Sequence, residues 1–285
     1  MSTSIFNRKN NKAEMSFVDH LEELRWHIVR SLIAILILAV IIFINIQWVF
    51  DNIIAGPINP DFVSYSFLCN LSHKLHLGEA LCLPPVSINM QTTTFGGQFL
   101  GSFTVAFIGG LIGAFPYICW EFWKFVKPAL KPKELKNTRF IIFWVSFFFF
   151  AGSAFGYFIL GPFTFNFLAT FQISGLNIVD TRPTINDYLD NITNIILGCG
   201  IAFELPVLAY TLTRIGIITP SYLKRNRKYA AVIILVMAAI ITPSPDWISQ
   251  AIVFIPLMGL YELGVIVSKR AYKGQEEAPQ NEEWS

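Results

Sequence analysis

Gly200-Ile201-Ala202-Phe203-Glu204-Leu205-Pro206-Val207 places one glutamate inside an otherwise apolar helical run, residues 192–212. The run is long enough to cross a bilayer, which takes about 20 residues. A carboxylate at that depth costs about 2.5–3.5 kcal/mol on insertion scales, and folding alone does not require it. Two readings stand for Glu204. It is a functional acid facing a cavity or partner helix, or it is hydrogen-bonded inside the bundle as helix glue. Pro206 favours the first, because proline lacks a backbone donor and leaves the carbonyl of Ala202 free beside the acid.

The rest of the chain is of the same character. Of 285 residues, 54% are hydrophobic and only 14% charged, against about 25% charged in soluble domains. The fold class is all-α, a polytopic membrane protein. Hydropathy marks six candidate transmembrane helices at 27–49, 95–119, 140–163, 192–212, 229–242 and 247–267. The fifth, with about 14 residues, would rise only ~21 Å. The sixth reads as short too, interrupted by Pro256 and meeting Glu262 early. Local bilayer thinning is expected around this end. The organisation that follows is a flexible N-terminus (1–15), a single six-helix transmembrane domain (16–270) with an outer loop at 50–94, and an acidic disordered tail (271–285). No cleavable signal peptide is visible, because the first apolar run is too long for one.

Lysine and arginine orient the chain. Nineteen of the 21 fall in the N-terminus, the second-to-third loop, the fourth-to-fifth loop and the tail; only Lys74 and Arg182 lie in the alternate loops. The positive-inside rule then puts both termini in the cytoplasm. Cys119 and Cys199 read as small apolar residues. Cys69 and Cys82 share the first outer loop, where an oxidising exterior would let them pair and close a loop worth ~3 kcal/mol; two free thiols are the alternative. Glycines recur at four-residue spacing, Gly97/Gly101, Gly109/Gly113 and Gly152/Gly156, a pattern that lets helix backbones approach closely.

Enzyme signatures are missing. There is no phosphate-binding Gly-rich loop, no His-Glu-x-x-His and no Gly-x-Ser-x-Gly. His20 and His27 could share a helix face, but such histidines are usually solvated. No cofactor, metal or nucleic acid is expected. Residues 115–130 mix aromatics with lysines as an interface belt does. Glu134, among Lys131, Lys133 and Lys136, reads by itself as a solvated ion-pair partner.

His20-Leu21-Glu22-Glu23-Leu24-Arg25 resembles the His-Leu-x-Glu-Leu-Arg opening of the TatC family, the receptor subunits of twin-arginine protein translocases. Pro116 through Glu134 is similar to that family's Pro…Trp-x-Phe…Pro-x-Leu…Glu segment. Phe203-Glu204-Leu205-Pro206-Val207 resembles its Phe-Glu-x-Pro-Val, and Thr242-Pro243 with Asp246 and Gln250 its Thr-Pro…Asp…Gln turn. The motifs run in order over most of the chain. Lys131 departs from them, standing where the family commonly has an aromatic, and Glu121 adds an acid beside the same surface.

The resemblance implies a receptor for signal peptides carrying paired arginines and a core subunit of a translocase for folded proteins, driven by proton-motive force. A guanidinium is best met by a carboxylate in a bidentate fork that lysine cannot reproduce. Glu23 and Glu134 stand at the matched acidic positions and Phe125 at a matched aromatic one. Arg25 and Lys136 are expected to hold the acids when no peptide is bound. Glu22, about 100° away on the helix, should face elsewhere. Glu204 with Pro206 would engage single-span partner subunits of TatA or TatB type. Asp246, Gln250 and Pro57 would serve structure or partner docking. A homo-oligomer within the complex and a bacterial plasma membrane are also implied. The rival reading is a proton-coupled secondary transporter using Glu204 as its relay. An intramembrane protease lacks a nucleophile–base pair, since Ser153 and Ser268 have no matched histidine in the membrane.

Overall fold

The computed structural model of the chain describes residues 17–74, 76, 78, 82, 84, 89–126, 138–171, 182–243 and 247–276. Within them the fold is helical, and the one β-type pairing is an isolated bridge between Gln91 and Thr184. Helix α1 is Phe17–Ile44, extended by a short turn at Ile46–Val49 and a π-helical turn at Phe50–Ile54. Helix α2, Val63–Lys74, lies in the connection between the first two long apolar helices. Then come α3, Gly97–Val126, α4, Thr138–Phe155, and α5, Gly161–Thr170, joined to α4 by a π-helical turn at Gly156–Leu160. The remainder is α6, Ile185–Ala202, α7, Leu205–Arg214, α8, Pro220–Arg225, α9, Arg227–Ile241, and α10, Trp247–Glu276.

Among the described residues, five stretches are long and apolar enough to cross a membrane: Glu22–Ile44, Gly97–Val126, Ile141–Thr170, Ile185–Arg214 and Trp247–Tyr272. Helix α9 is apolar as well, but its 15 residues rise only ~22 Å. That is short of a hydrocarbon core ~30 Å thick.

Small residues fix the helix pairs. Helices α1 and α3 run antiparallel, and their backbones meet at Gly110. A β-carbon built there would lie 2.7 Å from the Ile35 carbonyl oxygen and 2.9 Å from the Ala39 nitrogen. Gly109 and Gly113 flank that contact, facing the ends of the Ile42 and Leu38 side chains. Helices α4 and α6 are also antiparallel. A β-carbon at Gly152 would overlap the Cys199 carbonyl, and one at Gly156 would lie 2.9 Å from the carbonyl oxygen of Ile195. Glycine spacing therefore marked the right faces, although Gly110, the tightest point of the α1–α3 crossing, lies outside the four-residue pattern. Around these crossings the core closes on Leu160, Ile192, Ile195, Cys199, Ala238, Val253 and Leu257.

Three sequence expectations need correction. The fourth span is two helices rather than one. Helix α6 ends at Ala202, and α7 begins at Leu205 with Pro206 in its first turn. Pro206 has no N–H to return to Ala202, so the ladder breaks there and Glu204 sits in the break. The sixth helix is not short: α10 passes through Pro256 and runs for 30 residues, since neighbouring helices support a proline within a bundle. Only its uncharged part is brief, ending at Glu262, which Arg227 meets at 2.6 Å. The same helix continues six residues into the segment expected to be a disordered tail, where Ala271 is buried.

The loop end of the bundle is tied by tyrosines. Tyr65 donates to the carbonyl of Pro57 at 2.9 Å, Tyr157 to that of Ile53 and Tyr188 to that of Ile54. Pro57 is buried in a 3-10 turn, Gly56–Ile58. Cys69 and Cys82 are joined by a disulfide across 13 positions, with His73 beside both sulfurs.

Substituting Gly110→Ala should destabilise the protein by about 1–3 kcal/mol, because backbone lies on the other side of the contact and cannot yield. Thermal unfolding in detergent measures this. An unchanged melting temperature would show that α1 and α3 are free to separate.

Candidate functional site

Where α1 begins and α3 ends, five ionisable side chains converge. Glu23 and His27 stand one turn apart on α1, and Glu121 and Lys124 nearly one turn apart on α3, so each pair shares a face. The antiparallel crossing brings the faces together. His27 Nδ1 donates to Glu121 Oε2 at 2.6 Å, and Lys124 Nζ donates to Glu121 Oε1 at 2.7 Å. Arg30 Nη1 lies 3.9 Å from Glu121 Oε2. The other imidazole nitrogen, Nε2, lies 3.9 Å from Glu23 Oε1. The Phe125 ring meets the His27 ring edge-on, with centroids 6.4 Å apart.

Glu121 is only 1% exposed and His27 7%. A carboxylate buried so fully is tolerable only when paired and hydrogen-bonded, and both Glu121 oxygens have a close donor. Glu23 is different. Its Oε2 is buried with no hydrogen-bond partner, at the edge of a hollow lined by Glu23, Trp26, His27 and Arg30. An orphaned carboxylate oxygen beside an open hollow is an acceptor for a cationic donor that comes from outside.

The site residues expected from sequence divide three ways. Glu23 and Phe125 come together through His27. Arg25 does not join them: it is exposed and lies 3.8 Å from Glu22, because both point away from α3, so its expected hold on Glu23 is not made. Glu134, Lys136 and Asp246 lie outside the described residues. Glu204 is in the α6–α7 break with its Oε1 buried and unpartnered, Pro206 is buried in the first turn of α7, and Gln250 Nε2 reaches the Leu235 carbonyl at 3.4 Å, linking α10 to α9. Pro57 and the Cys69–Cys82 pair lie at the opposite, loop end.

His27 and Glu121 are the residues that sequence reasoning undervalued. Histidines on this helix read as solvated, yet His27 is buried against Glu121. The signal was present in two spacings: Glu23-x-x-x-His27, and Glu121-x-x-Lys124 inside an aromatic run. What a single chain could not reveal is that the two pairs face each other.

A family model for Sec-independent protein translocase protein (TatC) matches residues 19–256. The chain is 41% identical over 263 residues to the Sec-independent protein translocase protein TatC of Blattabacterium sp. subsp. Periplaneta americana (strain BPLAN), covering 91% of this chain and 97% of that one. Identity to the TatC protein of Deinococcus radiodurans is 33% over 258 residues, 90% of this chain and 87% of the other. A crystal structure of the twin arginine translocase receptor TatC superposes with a TM-score of 0.66 at 30% identity, covering 88% of this chain and 99% of that one. The chain belongs to the TatC family.

The TatC match takes in Glu23, Phe125, Glu134, Glu204 and Gln250 and ends before Glu262. Within this TatC-family chain the two unpartnered carboxylate oxygens, on Glu23 and Glu204, lie in different places. One is at the α1–α3 end and the other is at a helix break in the fourth apolar stretch. An acid that serves folding would have its oxygens satisfied. Glu204→Met, similar in length and apolar, is therefore expected to raise stability by about 1–3 kcal/mol by removing an unsatisfied buried group. Melting in detergent checks it. A fall of several degrees would show that the carboxylate is bonded as helix glue.

Proposed function

We propose that this TatC-family chain is the receptor for twin-arginine signal peptides and the core subunit of a translocase that exports folded proteins across a bacterial plasma membrane. The observation that carries the reading is the Glu23 carboxylate, with one buried oxygen unpaired beside a hollow. An arginine fork would fill that vacancy with charge-assisted hydrogen bonds. Two arginines need a second acid, and Glu134 is that acid, with Lys136 beside it; Phe125 supplies an apolar wall.

The lysine and arginine distribution supports six spans with both termini in the cytoplasm, α9 being the short fifth span. Glu23 then stands just beneath the cytoplasmic interface, where a signal peptide arrives. Glu204, in the break before Pro206, engages a polar group of a TatA- or TatB-type single-span partner, since an unsatisfied intramembrane acid draws a partner's polar group out of hydrocarbon. Gln250 links α10 to α9, and it serves structure or partner docking together with Asp246 and Pro57. The chain works by binding and conducting rather than by covalent chemistry. Its driving force is the proton-motive force, of which the potential supplies ~2.3 kcal/mol per charge per 100 mV. The unpaired Glu204 oxygen would also suit a proton relay in a secondary transporter, and that reading requires solute uptake that Glu204→Gln abolishes.

Solubilised protein should bind an Arg-Arg signal peptide more tightly than its Lys-Lys counterpart. Glu23→Ala and Glu134→Ala should each cost about 1.5–3 kcal/mol, roughly tenfold or more in Kd, and Glu→Lys should cost more through repulsion. Equal affinity for the two peptides, or normal binding by both alanine variants, would sink the receptor reading.

Glu204→Ala should leave peptide binding intact and reduce crosslinking to single-span partners several-fold. Undiminished crosslinking would remove Glu204 from the partner interface.

A further inference from the structure

We infer that Glu121 is a positioning residue that keeps Glu23 open, by drawing the neighbouring cations onto itself. The inference rests on the receptor reading of Glu23 and adds a residue that touches no peptide. Three basic groups surround the two acids: His27, whose Nε2 is 3.9 Å from Glu23, Arg30, which lines the same hollow, and Lys124 on the last turn of α3, against Glu121. Any of them could satisfy Glu23 internally, and a carboxylate already paired would bind an incoming guanidinium poorly.

None of them hydrogen-bonds Glu23, His27 standing 3.9 Å from its Oε1, and the geometry gives the reason. Lys124 Nζ is 2.7 Å from Glu121 Oε1, His27 Nδ1 is 2.6 Å from Glu121 Oε2, and Arg30 Nη1 is 3.9 Å from that same oxygen. Glu121 is the more deeply buried acid. Ion pairs strengthen as the local dielectric falls, so the cations settle there. Glu23, half-buried and at the edge of the hollow, keeps Oε2 unpartnered. Anchoring also holds the His27 ring as a wedge between the two carboxylates, its other edge against Phe125. Glu121 thus serves as a fixed internal counterion, and Glu23 as the one that is left over.

The test is a double-mutant cycle on peptide affinity, which isolates coupling between neighbours. Glu121→Gln releases the cations toward Glu23 and should weaken Arg-Arg peptide binding roughly tenfold, a loss of about 1.4 kcal/mol. In a background where the competitors are already neutral, His27→Gln with Arg30→Gln and Lys124→Gln, the same change should cost less than twofold. A merely structural role would cost the same in both backgrounds, and that result, or no loss in the first, overturns the inference. Should Glu121→Gln not fold, His27→Leu with Glu121→Leu replaces the buried pair by apolar groups, and the comparison with and without Arg30 and Lys124 is read the same way. Glu23→Ala is run alongside. If it binds Arg-Arg peptide normally, the receptor reading has failed; if it loses binding while the cycle shows no coupling, only the role of Glu121 has failed.

Discussion

A single buried carboxylate sets the geometry where α1 begins and α3 ends. Removing Glu121 from water costs several kcal/mol even after relaxation, and the pairing that offsets it must be close. Lys124 answers from its own helix and His27 from α1. The second contact turns a local ion pair into a constraint between helices. The Gly110 backbone contact lies 11 residues earlier on α3, or ~16 Å along the axis. Two points of fixation that far apart stop α1 from sliding or rotating on α3. The position of Glu23, one turn from His27, follows from that constraint.

Glu204 shows the opposite economy. The protein leaves a carboxylate oxygen without a partner at membrane depth and places it where Pro206 has already broken the backbone ladder. Two costs fall at one point, although either could be avoided by ordinary apolar residues. Violations of local rules concentrate where a structure gives up stability for activity. The surroundings are built to tolerate it. Gly152 packs α4 tightly onto α6 just before the break, and buried Thr213 and Ser268 share a hydrogen bond of 2.6 Å that ties α7 to α10 just after it. The break is held from both sides, so the helices do not come apart where the ladder is interrupted.

Much of this was legible in one chain, because lipid imposes simple rules. Apolar length marked the helices, and the place of α9 as a short one followed from counting residues. The intramembrane acid announced itself by its cost. Motif order in the TatC family picked out Glu23 and Phe125, which the fold brings together through His27; Glu134, from the same motifs, lies outside the described residues. What stayed hidden was pairing between distant segments. His27 looked solvated because its partner lies 94 positions away. The tight contact at Gly110 fell between the two glycines that the four-residue pattern selected. The continuous sixth helix was misread because a proline and a glutamate were both taken as stops. In the fold the proline is carried by neighbouring helices and the glutamate is neutralised by Arg227.

That last ion pair has a consequence for the bilayer. Arg227 opens α9 and Glu262 ends the uncharged part of α10, and the two meet at 2.6 Å. From the pair toward the other end of each helix, the uncharged lengths are 13 residues in α9, Tyr229–Ile241, and 15 in α10, Trp247–Tyr261. They rise ~20 Å and ~22 Å against a hydrocarbon core of ~30 Å. Tilting accommodates helices that are too long, not helices that are too short. A bilayer bounded by these two charges would thin here, at fractions of a kcal/mol per Å of mismatch, whereas α10 as a whole is long enough to cross, from Trp247 to Tyr272. The charge pair holds α9 and α10 together at this end. Helix α7 packs on α10 through Thr213 and Ser268, so the break that carries Glu204 lies in a helix packed on this pair. Were the bilayer thinned there, a polar chain crossing beside the break would meet both a shorter hydrocarbon path and an unsatisfied acid.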